Sequence, residues 1–449
     1  MSNRMNSRTA WLLAALLGTI LPVHPVHAAT ATCVGRSGDL LQALRAGRYE
    51  DATRHFDARM ATALPATTIR QLWSTLLPAK VGAFTSSDAP ASTRAGDLEV
   101  VQTPLHFSNG GLMMRVTCQP DGSIGGLYFL PLPATGGPAP TAALPDGIHA
   151  RPLDVPSPAG RLPGMLTLPD GKGPFPAAVL LAGSGPNDMD ETIGPNKPLR
   201  DIALGLARAG IASLRYDKRT RVHAAELAGQ PITVDQEVTD DALAALRTLR
   251  AQPQVDPLRV FVLGHSLGAM MAPRVARRDG HLAGAVLLAA PERMNLDLVL
   301  RQMRYIRHLD GSHVAVDRAI AEAEDARARL AHADPRHPPP GNVFHAPAAY
   351  WLSLRDYDAI DTARRIRTPL LVLQGMADYQ VAPAREFAAW QKAFRGSQRV
   401  TLHAYPGLGH LFMPAGTPPG PADYGHPGHV DAAVIHDIAR WMLARPAAT

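Results

Sequence analysis

The sequence predicts an α/β fold, in which a mostly parallel sheet is covered on both faces by helices, preceded by a small α+β domain. Three observations carry this prediction. After about residue 148, apolar strand-like runs alternate with amphipathic helical segments, which is typical of parallel sheets. The first 130 residues instead place helical segments before strand-like runs. Between these parts, residues 131–147 are rich in proline, glycine and alanine and are interpreted as a linker.

The chain begins with a segment that is typical of a secretory signal peptide. Arg4 and Arg8 precede an apolar run from Ala10 to Leu21, and small residues follow near Ala28. We therefore expect residues 1–28 to be removed after Ala28 and the protein to be periplasmic or secreted. The apolar run is shorter than the roughly 18 residues that suggest a spanning helix, so we expect no stable membrane insertion.

The charge pattern argues against a nucleic-acid partner. The chain has 45 Lys and Arg against 39 Asp and Glu, a formal net charge of +6, and its basic residues are interspersed with acidic ones. Only two cysteines occur, Cys33 and Cys118. In an exported chain two cysteines most simply pair, so we expect a disulfide, with two buried free thiols as the alternative.

Residues 29–130 form the predicted α+β domain. From Leu40 to about Phe84, apolar residues recur at spacings of three and four, which predicts helices. Three strand-like runs follow. They are separated by Asn109-Gly110 and Asp121-Gly122, dipeptides that favour hairpin turns.

Residues 148–449 form the predicted larger domain. Its strands are expected in the segments FPAAVLL, IASLRY, LRVFVL, AGAVLL, TPLLVL and RVTLHAY, with helices between most of them. Residues 294–367 interrupt the alternation with helical, polar and proline-rich pieces. Because a long insertion between two strands is often an active-site lid, we expect a helical cap there.

Ser266 lies in the segment LRVFVLGHSLGAMMAPRVARR, between a strand-like run and a helical one. The pattern Gly-x-Ser-x-Gly also arises by chance, but this context is the one in which it marks a nucleophilic serine at a strained strand-to-helix turn. Gly264 and Gly268 would leave the space that such a turn requires. The sequence therefore predicts Ser266 as a nucleophile, with a purely structural serine turn as the alternative.

A serine nucleophile needs a base that removes its proton and an anion that orients the base. Both should follow later strands. Asp378 comes a few residues after LLVLQG, and His410 lies in a glycine-containing loop after the last strand. We expect Ser266, Asp378 and His410 to form a catalytic triad, in the order nucleophile, acid, histidine.

The oxyanion formed during acyl transfer requires backbone N–H donors. One is expected to be the amide of Leu267, at the start of the helix after the nucleophile. The second is expected in the glycine loop LLAGSGPNDMDE, where Ser184 is preferred and Gly183 is the alternative. The two histidines of HPGH lack a convincing third ligand, so no metal site is expected, and no cofactor is expected either.

From about Asp146 onwards, the chain resembles α/β-hydrolases of the secreted-esterase and dienelactone-hydrolase branch, related to serine aminopeptidases and acylglycerol lipases. The matching segments are LLAGSGPNDMDE, LRYDKR, VLGHSLGA, YWLSLRDYD, LLVLQGMADYQV and YPGLGHLF. The resemblance implies an α/β-hydrolase fold and the same triad. The chain departs from many relatives at Ala182-Gly183, where they carry a His-Gly pair. Its first domain resembles a small accessory domain of unknown function that precedes secreted hydrolases.

Together these features predict a serine hydrolase that cleaves carboxylic esters through an acyl-enzyme. The expected substrate is a small-molecule ester or a short acyl or peptidyl compound. Tyr350, Trp351 and Phe412 are candidates for an acyl pocket, although each of them fits the core of the protein equally well.

Two other functions remain open from the sequence. The first is an aminopeptidase-like amide hydrolase on the same triad, in which Asp188, Asp190 and Glu191 would receive a substrate amine, although these residues are equally suited to capping the next helix. The second is a non-catalytic binding protein that kept the fold. The sequence decides neither the natural acyl group nor the oligomeric state.

Overall fold

The computed structural model describes residues 32–132 and 144–448, apart from residues 96, 109, 225, 228 and 310–313. The predicted signal peptide and most of the predicted linker lie outside these residues. The chain separates into two compact units, with the boundary between residues 140 and 141.

The first unit combines short helices with a five-stranded antiparallel sheet. A π-helical turn over Leu72–Leu76 joins the last two helices. In the sheet, β3 pairs with β1, β2 and β4, and β4 pairs with β5. The elements are α1 (Cys33–Arg45), α2 (Tyr49–Thr53), α3 (Ala58–Ala63), α4 (Ala66–Gln71), α5 (Leu77–Val81), β1 (Phe84–Ser87), β2 (Ala91–Ala95), β3 (Leu98–Phe107), β4 (Gly110–Cys118) and β5 (Ile124–Pro131).

The predicted order of helices and then strands is confirmed in this unit, but the sequence did not indicate β1 and β2. Both strands are short, and their residues are mostly Ser, Thr and Ala, so they show no apolar alternation. The core lies between α1 and the sheet, where Leu40 and Leu44 pack with Val101, Leu105 and Met114.

A disulfide joins Cys33, the first residue of α1, to Cys118, the last residue of β4. Both cysteines are buried. The bond therefore ties the first helix of the unit directly to its sheet.

We predict that replacing Cys33 and Cys118 together with serine destabilises the first unit. The disulfide spans a sequence separation of 85 residues, and the chain-entropy model gives about 4–5 kcal/mol for such a loop. Hydrogen exchange in peptides from α1 and β4, measured on the full chain at increasing urea concentrations, gives the change in the unfolding free energy of this unit. Equal protection in wild type and variant, or two free thiols in the non-reduced wild type, would contradict the prediction.

The second unit is built on an eight-stranded sheet with the order β17-β16-β13-β12-β10-β11-β9-β6. The pairs from β17 to β11 are parallel, and β9 runs antiparallel to both of its neighbours. The strands are β6 (Ile148–Pro152), β9 (Gly164–Pro169), β10 (Phe175–Leu181), β11 (Ala212–Tyr216), β12 (Val255–His265), β13 (Gly284–Leu288), β16 (Leu370–Gly375) and β17 (Val400–Tyr405), with two small hairpins, β7 (Val155–Ser157) with β8 (Gly160–Leu162) and β14 (Asn342–Val343) with β15 (Ala346–Pro347).

Helices cover both faces of this sheet. A π-helical turn over Asp235–Thr239 leads into α8, and a 3₁₀ turn covers Pro421–Gly425. The helices are α6 (Pro198–Arg208), α7 (Arg219–Val222), α8 (Asp240–Arg250), α9 (Leu267–Asp279), α10 (Leu296–Leu309), α11 (Val314–Leu330), α12 (Ala348–Arg355), α13 (Ala359–Arg364), α14 (Glu386–Ala393) and α15 (Ala432–Leu443). In the described residues, no helix combines the length and the apolar character needed to cross a membrane.

Successive residues of the central strands belong to two different hydrophobic cores, one on each face of the sheet. In β12, Val260 and Val262 belong to the core cluster of α8 and α9, whereas Phe261 and Leu263 belong to the cluster of α6 and α15. Successive residues of a strand point to opposite faces, so both faces of β12 are buried. The predicted fold class, a mostly parallel sheet covered by helices, is confirmed, and β12 is fixed from both sides.

The segment before β10 contains strands that the sequence did not indicate. Strands β6 to β9 fall in a stretch with five prolines between Ile148 and Pro169, and prolines obscure the alternation of a strand. Between β13 and β16, helices α10 to α13 form the expected insertion, with a cluster of their own that includes Leu296, Leu330 and Leu352.

Candidate active site

Ser266 occupies the turn between β12 and α9, with φ 52° and ψ −114°. Positive φ is uncommon for a residue with a side chain. The amide of Ser266 donates to the carbonyl of Leu288 on the neighbouring strand, and its own carbonyl accepts from Met270 in α9. The turn is therefore held by both the strand and the helix that it joins.

The two glycines beside Ser266 are required by close backbone contacts. A Cβ atom on Gly264 would lie 2.2 Å from the carbonyl carbon and oxygen of Gly268. A Cβ atom on Gly268 would lie 2.4 Å from the carbonyl oxygen of Leu181, at the end of β10. Even alanine would thus force apart the strand, the helix and the neighbouring loop.

Asp378 and His410 lie on the loops that follow β16 and β17, and they contact each other directly. His410 Nδ1 donates to Asp378 Oδ2 over 2.8 Å. The other oxygen of Asp378, Oδ1, accepts from the amides of Gln380 and Val381 at 2.8 and 2.9 Å. Oδ2 also accepts from Gln374 Nε2 over 3.1 Å, so four donors fix the direction of this carboxylate.

The neighbour of Ser266 in sequence, His265, connects the nucleophile turn to His410. The two imidazole rings lie 4.6 Å apart between centroids. His265 Nε2 donates to the carbonyl oxygen of His410 over 2.9 Å, and His265 Nδ1 lies 2.8 Å from Glu191 Oε1. Ser266, Asp378 and His410 are all buried, and the loops that carry them meet at one edge of the sheet.

Both ring nitrogens of His265 face acceptors, which favours its doubly protonated form. Burial alone would lower the pKa of His265, but the carboxylate of Glu191 and the carbonyl of His410 outweigh it and raise this pKa. Glu191 adopts φ 54° and is itself buried. No local pattern in the sequence indicates this pair, because Glu191 and His265 lie 74 residues apart.

The loop after β10 lies against Ser266, as expected for an oxyanion loop. A Cβ atom on Gly183 would lie 3.2 Å from Ser266 Cβ. The amide of Gly183 donates to Glu191 Oε1 over 2.7 Å, so this donor is occupied within the protein. Of the two candidates in this loop, Ser184 therefore stays the preferred oxyanion donor. Ser184 lies exposed at the sheet edge. The other expected donor, Leu267, lies buried at the start of α9.

The three candidates for an acyl pocket have partners within the protein. Tyr350 donates its hydroxyl proton to Glu237 Oε2 over 2.7 Å. Trp351 donates to the carbonyl of Val343 and packs in the insertion. Phe412 is almost fully buried against the sheet.

The three carboxylates considered for a substrate amine are also engaged. Asp188 accepts from the amide and hydroxyl of Thr192. Asp190 pairs with Arg215 and Lys197 at 2.8 and 3.1 Å; burial alone would raise its pKa, but these two cations lower it. Glu191 is held by Gly183 and His265, as described above. Of the six carboxylate oxygens of these residues, only Glu191 Oε2, which is buried, lacks a hydrogen-bond partner among the described residues.

Comparison with known proteins adds a family context. The family described as "Serine aminopeptidase, S33" matches residues 198–414, and a family of unknown function, DUF3887, matches residues 37–127. The chain is similar to Esterase EstD of Thermotoga maritima, with 34% identity over 403 residues that cover 90% of this chain and 93% of that protein.

Two solved structures are also similar. Est1E from Butyrivibrio proteoclasticus shares 15% identity and a TM-score of 0.41, over 65% of this chain and 97% of that chain. A dienelactone hydrolase from Anabaena variabilis shares 16% identity and a TM-score of 0.39, over 67% of this chain and 99% of that chain.

We predict that the Glu191–His265 pair makes stability depend on pH. Because the folded-state pKa of His265 is raised, its stabilising contribution is complete below the unfolded pKa of about 6.5 and is lost as pH rises through the folded pKa. Urea unfolding from pH 5 to 9 should show the difference between wild type and His265→Gln shrinking as pH rises. His436→Gln, at an exposed position of α15, is the control. A difference that stays constant or grows with pH would contradict the prediction.

Proposed function

The chain belongs to the α/β-hydrolase family of serine ester hydrolases, and on that premise we propose that it is an exported esterase whose acyl-enzyme forms on Ser266. His410 is the general base and Asp378 the residue that orients it. The observation that supports this assignment most directly is the 2.8 Å hydrogen bond from His410 Nδ1 to Asp378 Oδ2, beside the strained turn of Ser266.

The proposed reaction proceeds in two halves. His410 Nε2 takes the proton of the Ser266 hydroxyl as its oxygen attacks the ester carbonyl, and the amides of Leu267 and Ser184 stabilise the oxyanion. His410 then protonates the leaving alcohol, and the acyl group remains on Ser266. Water, activated by His410, releases the acid and restores the serine. Asp378 orients the ring of His410 and stabilises the imidazolium.

An ester substrate is favoured over a peptide amine because, among the described residues, each carboxylate beside the oxyanion loop already accepts from the protein through at least one oxygen, although Glu191 Oε2 has no partner. Asp188, Asp190 and Glu191 are all engaged by donors of the protein itself. An aminopeptidase usually binds the charged amino terminus of its substrate with a carboxylate. If Asp190 or Glu191 changed rotamer to reach such a group, Arg215 or His265 would lose its ion-pair partner.

A cleft beside His410 has a volume of only about 20 Å³, room for about one water molecule, so as it stands it does not hold the apolar part of an ester. Its walls include Tyr379, Leu411 and Met413. Two polar residues, Asn196 and Asp423, also line it, but their side chains are hydrogen-bonded to backbone groups of the protein.

Export is proposed from the amino-terminal sequence together with the disulfide. The signal-like segment ends before the first described residue, and the Cys33–Cys118 bond is of a kind that persists in oxidising compartments. A periplasmic or secreted location is compatible with both features.

We predict that Ser266→Ala lowers kcat by about 10⁴-fold or more on a short acyl ester, because the covalent route is removed while the oxyanion donors remain. Steady-state kinetics on pure, folded protein measure the loss. The matched control is Ser213→Ala, which removes a buried hydroxyl that has no hydrogen-bond partner among the described residues of the same sheet. Turnover of Ser266→Ala near the wild-type rate would rule out the proposed mechanism.

A further inference from the structure

A buried lysine contacts the oxyanion loop but takes no part in the reaction described above. Lys218 Nζ donates to the carbonyl oxygen of Gly183 over 2.9 Å and lies 3.0 Å from Glu237 Oε1. The side chains of Lys218 and Glu237 are only 5% and 4% exposed. The ammonium group therefore joins a backbone carbonyl of the loop to a buried carboxylate.

Anchoring the carbonyl of Gly183 also sets the direction of the next amide. In a trans peptide the C=O of one residue and the N–H of the following residue lie in one plane and point in opposite directions. Lys218, together with the side-chain amide of Asn187 at 3.1 Å, holds this carbonyl on one side. The N–H of Ser184 is thereby directed to the other side, and it cannot rotate unless these hydrogen bonds break.

The partner of Lys218 also receives a contact from the cap insertion. Glu237 Oε2 accepts the hydroxyl of Tyr350, in α12, over 2.7 Å, and Glu237 Oε1 accepts from Thr220 over 3.0 Å. Burial, and after it the negative charge of Glu237, raises the pKa of Tyr350 well above its usual value, so the hydroxyl remains a donor. A continuous path thus runs from Tyr350 through Glu237 and Lys218 to Gly183.

Stability alone does not account for this arrangement. Taking an ammonium and a carboxylate out of water is expensive, and apolar side chains of the same volume often serve a core as well or better. Apolar side chains would not, however, fix the direction of the Gly183–Ser184 peptide, as the Lys218–Glu237 pair does.

We propose that Lys218 is a positioning residue that holds the Gly183–Ser184 peptide in the orientation of an oxyanion hole, and that Tyr350, through Glu237, couples this orientation to the cap. The inference rests on the proposed function, because it takes the Ser184 amide as an oxyanion donor. The cap thereby acts on the chemical step through Tyr350.

The test uses variants of the full chain. Lys218→Met with Glu237→Gln removes both charges, so that no unpaired charge stays buried, and Tyr350→Phe removes one hydroxyl. The control is Tyr405→Phe, because the Tyr405 hydroxyl also donates to a carboxylate, that of Asp437, at 3.0 Å. Each variant is assayed for kcat and KM on a short acyl ester, and for the Ki of a trifluoromethyl ketone, whose adduct with a serine nucleophile carries an oxyanion.

We expect the double variant to lose about 10- to 100-fold in kcat with KM within about twofold of wild type, less than the full loss of an oxyanion donor. The Ki of the ketone should rise by a similar factor. Tyr350→Phe should show the same pattern at about threefold, and Tyr405→Phe should match wild type. If Lys218 and Glu237 served only stability, the double variant would have a lower melting temperature, but its kcat would not fall by the factor by which its Ki rises.

Other outcomes would overturn the inference. If the double variant folds and keeps kcat and Ki within about twofold of wild type, Lys218 does not position the loop. If only KM rises, the network acts in substrate binding. If the double variant fails to fold, Tyr350→Phe tests the proposal instead. An unchanged Ki of the ketone in that variant contradicts the coupling between the cap and the oxyanion loop. An inactive wild type would instead refute the proposed function itself.

Discussion

The backbone of Ser266 is held at φ 52° and ψ −114°, and the surrounding structure is arranged to keep it there. Such a conformation costs on the order of 1–3 kcal/mol and persists only when its surroundings over-determine it. Here β12 is buried on both faces, and Gly264 and Gly268 let strand, helix and loop approach closely. Large cores on either side of one strand thus support one strained residue at its end.

Buried polar contacts then connect loops that are far apart in sequence. Glu191 joins the amide of Gly183 to His265, and His265 joins the nucleophile turn to the carbonyl of His410. Lys218 donates to the carbonyl oxygen of the same residue, Gly183. Loops that follow β10, β11, β12 and β17 are therefore fixed relative to one another by a few charged groups, at the sheet edge where parallel strands end.

The sequence indicated those features whose signals are local. Apolar runs marked the six parallel strands, and the two glycines around Ser266 marked the turn. Short or proline-rich strands such as β2 and β8 lacked alternation and were missed. The partners of Lys218 and His265 were missed for another reason: Glu237 and Glu191 meet them only through the fold, and nothing in the spacing of these residues indicates the contact. The same holds for Tyr350, whose hydroxyl is bound to Glu237 in the structure.

The central claim is that Ser266 becomes covalently acylated, and trapping the adduct tests it most directly. Wild-type protein treated with a fluorophosphonate, a reagent that phosphorylates activated serines, is digested and analysed by mass spectrometry. The account predicts one adduct per chain, on Ser266. No adduct on folded protein, or an adduct on a different residue with Ser266 unmodified, would contradict it.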